Sequence, residues 1–329
     1  MHSKLFAGLL ALILIAVIGT ARPAQAQLTL TPAGTALGFS LSTFASGFPS
    51  ESTIGPLGIT FLSAGGILVS DYPGNVRLFP TDTDGQNAAS VPVAQNYGGH
   101  NAIGLAQVGG NIYMVQKANK DVVQLNPNGT LNQTIIGVGP GNGIVGNATD
   151  GHLFVSNTNS EIFDVNPLAK TETVLETGTY VDGLTLSFDE RVLYGADGVT
   201  GHIYGFDTST GAKVFDSGFV PGGVDGTALG TGNLAGNIFA NTNSGTLVEI
   251  NLATDAQTLI ASGGSRGDFV MVDPSNGTLL LTQTDRIIRL SGGSFAPVPE
   301  ASSFVSLGLL LLGLGGLTIS VRWKRRSVP

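Results

Sequence analysis

Val181-Asp182-Gly183-Leu184-Thr185-Leu186, Arg191-Val192-Leu193-Tyr194-Gly195-Ala196-Asp197 and Gly201-His202-Ile203-Tyr204-Gly205-Phe206-Asp207 follow one another with only short turns between them. Each segment alternates apolar and polar positions and is bounded by Gly, Asp or Asn, which reads as three short strands joined by tight turns. A single three-stranded unit has no partner for its apolar face. What decides the fold is that the unit recurs.

Five degenerate copies surround it. One runs from Gly58-Ile59-Thr60-Phe61 through Gly66-Ile67-Leu68-Val69-Ser70-Asp71 to Asn75-Val76-Arg77-Leu78-Phe79, and others open at Gly104, Gly143, Gly226 and Asp268. The period of about 40 residues is the length of a propeller blade, so the six starts predict an all-β, six-bladed β-propeller over residues 27–290. A β-sandwich or a parallel β-solenoid competes for the same strands, but three or four strands per repeat favour the propeller. The last copy offers only three strands before the 291–297 linker. An unassigned strand, Leu37 to Phe44, precedes the first copy, and it is expected to close the ring as the outer strand of the sixth blade, removing an exposed sheet edge.

Both ends of the chain differ from this pattern. Lys4 precedes an apolar run from Leu5 to Ile18, too short to span a bilayer comfortably, and the small-x-small site Ala24-Gln25-Ala26 follows. Residues 1–26 therefore read as a signal peptide with an apolar helix, cut by signal peptidase after Ala26. Near the other end, 18 uncharged residues from Phe304 to Val321 are followed by Arg322, Lys324, Arg325 and Arg326, the pattern of a transmembrane helix with a basic cytoplasmic stop. Pro299-Glu300-Ala301 stands just before that span. With the span and the basic end, it resembles the PEP-CTERM sorting signal of Gram-negative bacteria, with Ala301 in place of the usual second proline. That resemblance assigns 298–329 to a sorting segment. It implies processing by an exosortase and a route from the periplasmic side of the inner membrane to the cell surface or an exopolysaccharide matrix, where exopolysaccharide or envelope proteins are the expected partners.

The sequence contains no cysteine, so neither disulfides nor thiolate metal sites support the fold. Six of the 15 lysines and arginines sit in the two ends, whereas every acidic residue except Glu300 lies between them. A domain this acidic disfavours nucleic acid and anionic lipid as partners and is compatible with cations. Phosphate-loop and His-Glu-x-x-His signatures are absent.

The residues just before the innermost strand of each blade converge on one mouth of a propeller's channel. Here they are His100 and Asn101, Asn142, Asp182, Asp225 and Asp268. Oxygen donors in this arrangement suit Ca2+ or another divalent cation, or the hydroxyls of a sugar or lactone. Asp and Asn before Gly are also favoured turn formers, and that structural role stays open for the same residues. His152 and His202 lie on alternating strands and are expected to be packed or solvent-facing.

Val181 to Asp197, Gly201 to Asp207 and Gly223-Val224-Asp225-Gly226 resemble blades of the SMP-30/gluconolactonase superfamily. That resemblance implies a metal-dependent hydrolase in which an Asn, an Asp and a Glu hold the ion. Asp225 matches the Asp, Asp182 stands where the family has its Asn, and Glu51 is the nearest acidic residue to the Glu position. Two readings follow: a non-catalytic binding or structural protein of the envelope, and a calcium-type lactonase.

Overall fold

The computed structural model describes residues 26–298, so all but the inner end residues of the signal and sorting segments, and the whole 304–321 span, lie outside the described residues. Among the described residues no helix is long and apolar enough to cross a membrane. Six sheets follow one another along the chain, each with four antiparallel strands in up-and-down order, consecutive in sequence except for the outer strand of the sixth. Their innermost strands are Pro56–Phe61, Leu105–Val108, Gly141–Gly146, Leu184–Leu186, Val224–Leu229 and Gly267–Val272, each within two residues of the start expected from the repeat. The six sheets are the blades of a β-propeller.

Apolar residues on the two faces of each blade meet those of its neighbours, so the core is shared across blade junctions. Val115, Val122, Leu153, Val155 and Val165 form one such cluster between blades two and three. Phe44, Phe79, Ile59 and Ile287 form another between blades six and one. Burying a side chain of this size stabilises by roughly 1.5–3 kcal/mol.

Close approach of neighbouring blades at the channel explains the glycine that opens five of the six repeats. A Cβ on Gly226 would lie 1.9 Å from the carbonyl oxygen of Asp268, and one on Gly183 would lie 2.6 Å from that of Asp225. With no side chain in the way, Gly183 N–H donates to the Asp225 carbonyl of the next blade at 2.9 Å. A hydroxyl on the second strand repeats the device. Ser70 Oγ accepts from Gly58 N–H at 2.9 Å and donates to the Ile103 carbonyl of blade two at 2.6 Å. Ser156 does the same for Gly143 and Asp182.

Phe39–Ser46 pairs antiparallel with Arg286–Gly292, so the strand before the first repeat does complete blade six and close the ring. Two further pieces cover edges. Thr29–Leu30 adds a fifth strand to blade five, and the short helix Pro32–Ala36, capped by Thr31 Oγ1 accepting from Gly34 N–H at 3.1 Å, turns the chain from blade five to blade six. At the far end, Ala296 N–H donates to Thr231 Oγ1 and Val298 N–H to the Pro274 carbonyl. Both acceptors sit in loops that follow inner strands. The described chain therefore finishes on the face opposite the one where the inner strands begin.

Candidate functional site at the channel mouth

Because each inner strand starts at the same mouth, the register of the repeat brings Asn142, Asp182, Asp225 and Asp268 together around a cavity of about 130 Å³. Asp225 and Asp268 are each 3% exposed, whereas Asp182 keeps some solvent contact. Tyr72, Tyr180, Phe269, Ile54 and Leu57 supply the apolar and aromatic part of the lining, and Lys117 and Arg266 bring positive charge. An apolar cavity of about 150 Å³ accommodates benzene, so this space suits a ligand of one six-membered ring.

The two cations were not singled out by the repeat. Arg266, in the loop entering blade six, donates from Nε to Asp268 Oδ1 at 2.9 Å and from Nη2 to Asp225 Oδ2 at 2.8 Å. Lys117 Nζ donates to Asn142 Oδ1 at 3.3 Å. Arg266 Nη1 makes no hydrogen bond among the described residues and remains available to a ligand.

Burial pushes the Asp225 carboxyl well above the usual carboxylate range, and the neighbouring Asp182 and Asp268 carboxyls push it further, against the pull of Arg266. Burial also raises Asp182, opposed by Lys117, and Asp268, opposed by Arg266. Asp268 Oδ2 is buried and has no hydrogen-bond partner among the described residues, so a protonated neighbour or a donor on a ligand would satisfy it. Like charges this close cannot all ionise. Tyr180 is pushed up to about 12 by burial and by Asp182, so it stays a hydroxyl.

His100 and Asn101 do not line the cavity. His100 adopts φ +64°, stacks on Tyr72 with ring centroids 4.1 Å apart, and turns its Nε2 to within 3.5 Å of Glu51 Oε1. Asn101 is consumed by its turn, donating to the Tyr97 carbonyl at 3.2 Å and accepting from Asn119 N–H at 2.8 Å. His152 stands just before the second strand of blade three and His202 opens the third strand of blade four, with Nδ1 2.8 Å from Asp164 and 2.7 Å from Asp216 respectively.

A divalent ion fits this donor set poorly. Ile54, not a glutamate, lines the mouth before the first inner strand, and Glu51 faces His100 instead. Arg266 already occupies oxygens of two of the three carboxylates. Among the described residues no group of three His, Cys, Asp or Glu is arranged to hold a metal ion. Gly263-Gly264-Ser265-Arg266-Gly267 has the spacing of a nucleophile elbow, a match not among the candidates above. It leads into a strand and not a helix, and Ser265 Oγ accepts from Thr284 N–H at 3.0 Å with no histidine bonded to it among the described residues, so its role is to hold the loop.

Residues 70–266 match the family described as a repeat of unknown function, DUF6923. The chain belongs to that family. The match runs from the second strand of blade one to the loop that carries Arg266. No curated protein matches the sequence. Among solved structures, XC5397 of Xanthomonas campestris, described as a gluconolactonase, is similar with a TM-score of 0.62 at 15% identity, over 83% of this chain and 98% of that one. A luciferin-regenerating enzyme is similar with a TM-score of 0.59 at 11% identity, over 79% and 97%. A chain of the nidogen/laminin complex is similar with a TM-score of 0.57 at 13% identity, over 70% and 97%. The DUF6923 chain thus shares the gluconolactonase-like propeller fold, and at these identities the likeness is one of fold.

Proposed function

We propose that this chain is an exported, surface- or matrix-associated propeller whose channel mouth binds a single-ring, oxygen-rich molecule of the sugar-lactone class and opens it by hydrolysis. The observation that carries this reading is the trio Asp182, Asp225 and Asp268 around a ring-sized cavity, with burial raising the proton affinity of each carboxyl. Two carboxyls whose surroundings push their proton affinities apart form an acid and base pair. Asp225, pushed up by both neighbouring carboxyls, serves as the acid, and Asp182, whose rise Lys117 opposes, as the base. Water adds to the lactone carbonyl carbon as its proton passes to Asp182. The ring C–O bond breaks as Asp225 protonates the departing oxygen, leaving a hydroxy acid. Arg266 Nη1 is the donor that remains free for the carbonyl oxygen. The named activity of XC5397 supports trying this substrate class first.

Non-catalytic binding is the second reading, and a specific observation favours it: the ion that the lactonase resemblance implies has no donor set here, because Arg266 engages Asp225 and Asp268. Export rests on the two ends of the sequence. The exit of residues 295–298 on the face opposite the mouth supports a tethered protein with its site turned away from the membrane.

A panel of five- and six-membered lactones, followed by acid release, tests the proposal. Turnover that falls by about 10²-fold or more in both Asp182→Asn and Asp225→Asn is expected. Saturable binding of sugars or lactones without turnover establishes the second reading, and absence of both overturns the assignment of this mouth.

A further inference from the structure

We infer that the guanidinium of Arg266 is the resident cation of the channel mouth, filling the place a divalent ion would otherwise take, so that removing it uncovers a divalent-cation site the native protein lacks. The inference goes beyond the proposed hydrolysis and does not depend on it.

Three buried or half-buried carboxyls converge at the mouth, and a desolvated cluster of that sign needs a counter-cation. Arg266 supplies it through two charge-assisted hydrogen bonds, at 2.9 Å to Asp268 and 2.8 Å to Asp225, carboxyls brought from two neighbouring blades. Its planar fork is suited to bridging carboxylates in a way that a lysine is not.

The arginine is also held from behind. Gly264 N–H donates to the Gly245 carbonyl at 3.0 Å, Ser265 Oγ accepts from Thr284 N–H at 3.0 Å, and a Cβ on Gly267 would lie 2.1 Å from Asn241 Oδ1. The backbone on both sides of Arg266 is therefore pinned between blades five and six. The Arg266 side chain is 30% exposed while the carboxyls it bonds are 4% and 3% exposed, so the arginine lies on their solvent side. An incoming ion would have to displace a tethered cation and would sit beside Lys117 as well. With the guanidinium gone, Asp182, Asp225 and Asp268, together with the amide oxygen of Asn142, present a hard oxygen set of the kind calcium takes.

The test is titration of the full chain, purified in detergent, with Ca2+ by calorimetry and with Tb3+ by sensitised luminescence. No saturable uptake is expected up to millimolar Ca2+ in the native protein. Arg266→Ala should gain one saturable site, with a rise in melting temperature on adding Ca2+, and Arg266→Ala combined with Asp225→Asn should lose it. If Arg266→Ala does not fold, Arg266→Gln, which keeps the length and loses the charge, is read in its place. Uptake by the native protein that Asp225→Asn abolishes overturns the inference, as does an Arg266 variant that folds and gains no site. These readouts involve no lactone, so a chain without hydrolytic activity leaves them intact.

Discussion

Arg289 donates from Nε to Asp84 Oδ1 at 2.9 Å, tying the third strand of blade six to the loop between the third and outer strands of blade one. The same guanidinium donates from Nη1 to the fully buried Asp273 at 2.9 Å, reaches Asp82 through Nη2, and lies 5.7 Å from the ring centroid of Phe44. One side chain thus joins the first blade, the last blade and the strand that closes the ring. Removing one partner of a buried, hydrogen-bonded ion pair costs about 3–5 kcal/mol, because the other charge stays behind unpaired. Arg289→Ala is expected to lose stability on that scale in urea denaturation. Arg191→Ala, at an exposed turn, is expected to stay within about 0.5 kcal/mol of the native chain.

The carboxyls give the stability an unusual pH dependence. Burial raises Asp82 to about 6, and burial raises Asp182, Asp225 and Asp268 as well. An acid whose folded pKa exceeds its unfolded value near 3.8 binds its proton more tightly when folded. Folding then takes up protons across that interval, so the native state gains stability as pH falls through the window from about 6 to 4 and loses it as pH rises. Asp273 runs the other way. Burial opposes its ionisation, but bonds from Asp82, Ser275 and Arg289 win and hold it below the usual range, so its contribution is lost only under more acid conditions. Urea midpoints are expected to be higher at pH 5 than at pH 7, and Asp82→Asn and Asp225→Asn should each flatten that slope. A midpoint that rises steadily from pH 5 to 7 contradicts the assignment.

The inner half of most blades was legible in the sequence because its strands are largely buried, and a glycine and an Asp or Asn recur near the start of the inner strands. Outer strands carry a weaker signal. Thr171–Thr177 reads Thr-Glu-Thr-Val-Leu-Glu-Thr and is largely exposed, so nothing constrains one face to be apolar. Asp182, Asp225 and Asp268 could be placed at one mouth because blade register alone fixes them. Arg266 and Lys117 reach the same spot from loops, by side-chain length and a glycine-rich backbone path, which no periodicity encodes. His100 shows the converse. Its position before the second inner strand is right for the mouth, but a left-handed φ and the stack on Tyr72 turn it toward Glu51.

The repeat-opening glycines make the last prediction, because they separate a packing role from a turn role. Gly226 needs no positive φ, so alanine would meet no backbone penalty there, yet its Cβ would fall 1.9 Å from the Asp268 carbonyl oxygen and 2.6 Å from the Phe269 Cα. Both obstacles are backbone of the next blade and move only if blades five and six separate. Overpacking of this kind costs about 1–3 kcal/mol or more. Gly226→Ala is therefore expected to lower the urea midpoint substantially and to shift the mouth itself, since Asp225 and Asp268 flank the contact. Gly99→Ala, with nothing within 4 Å of the new methyl group and no positive φ, is the matched control and should be close to neutral. Equal stability of the two variants would mean that the repeated glycine serves turn geometry and not the spacing of the blades.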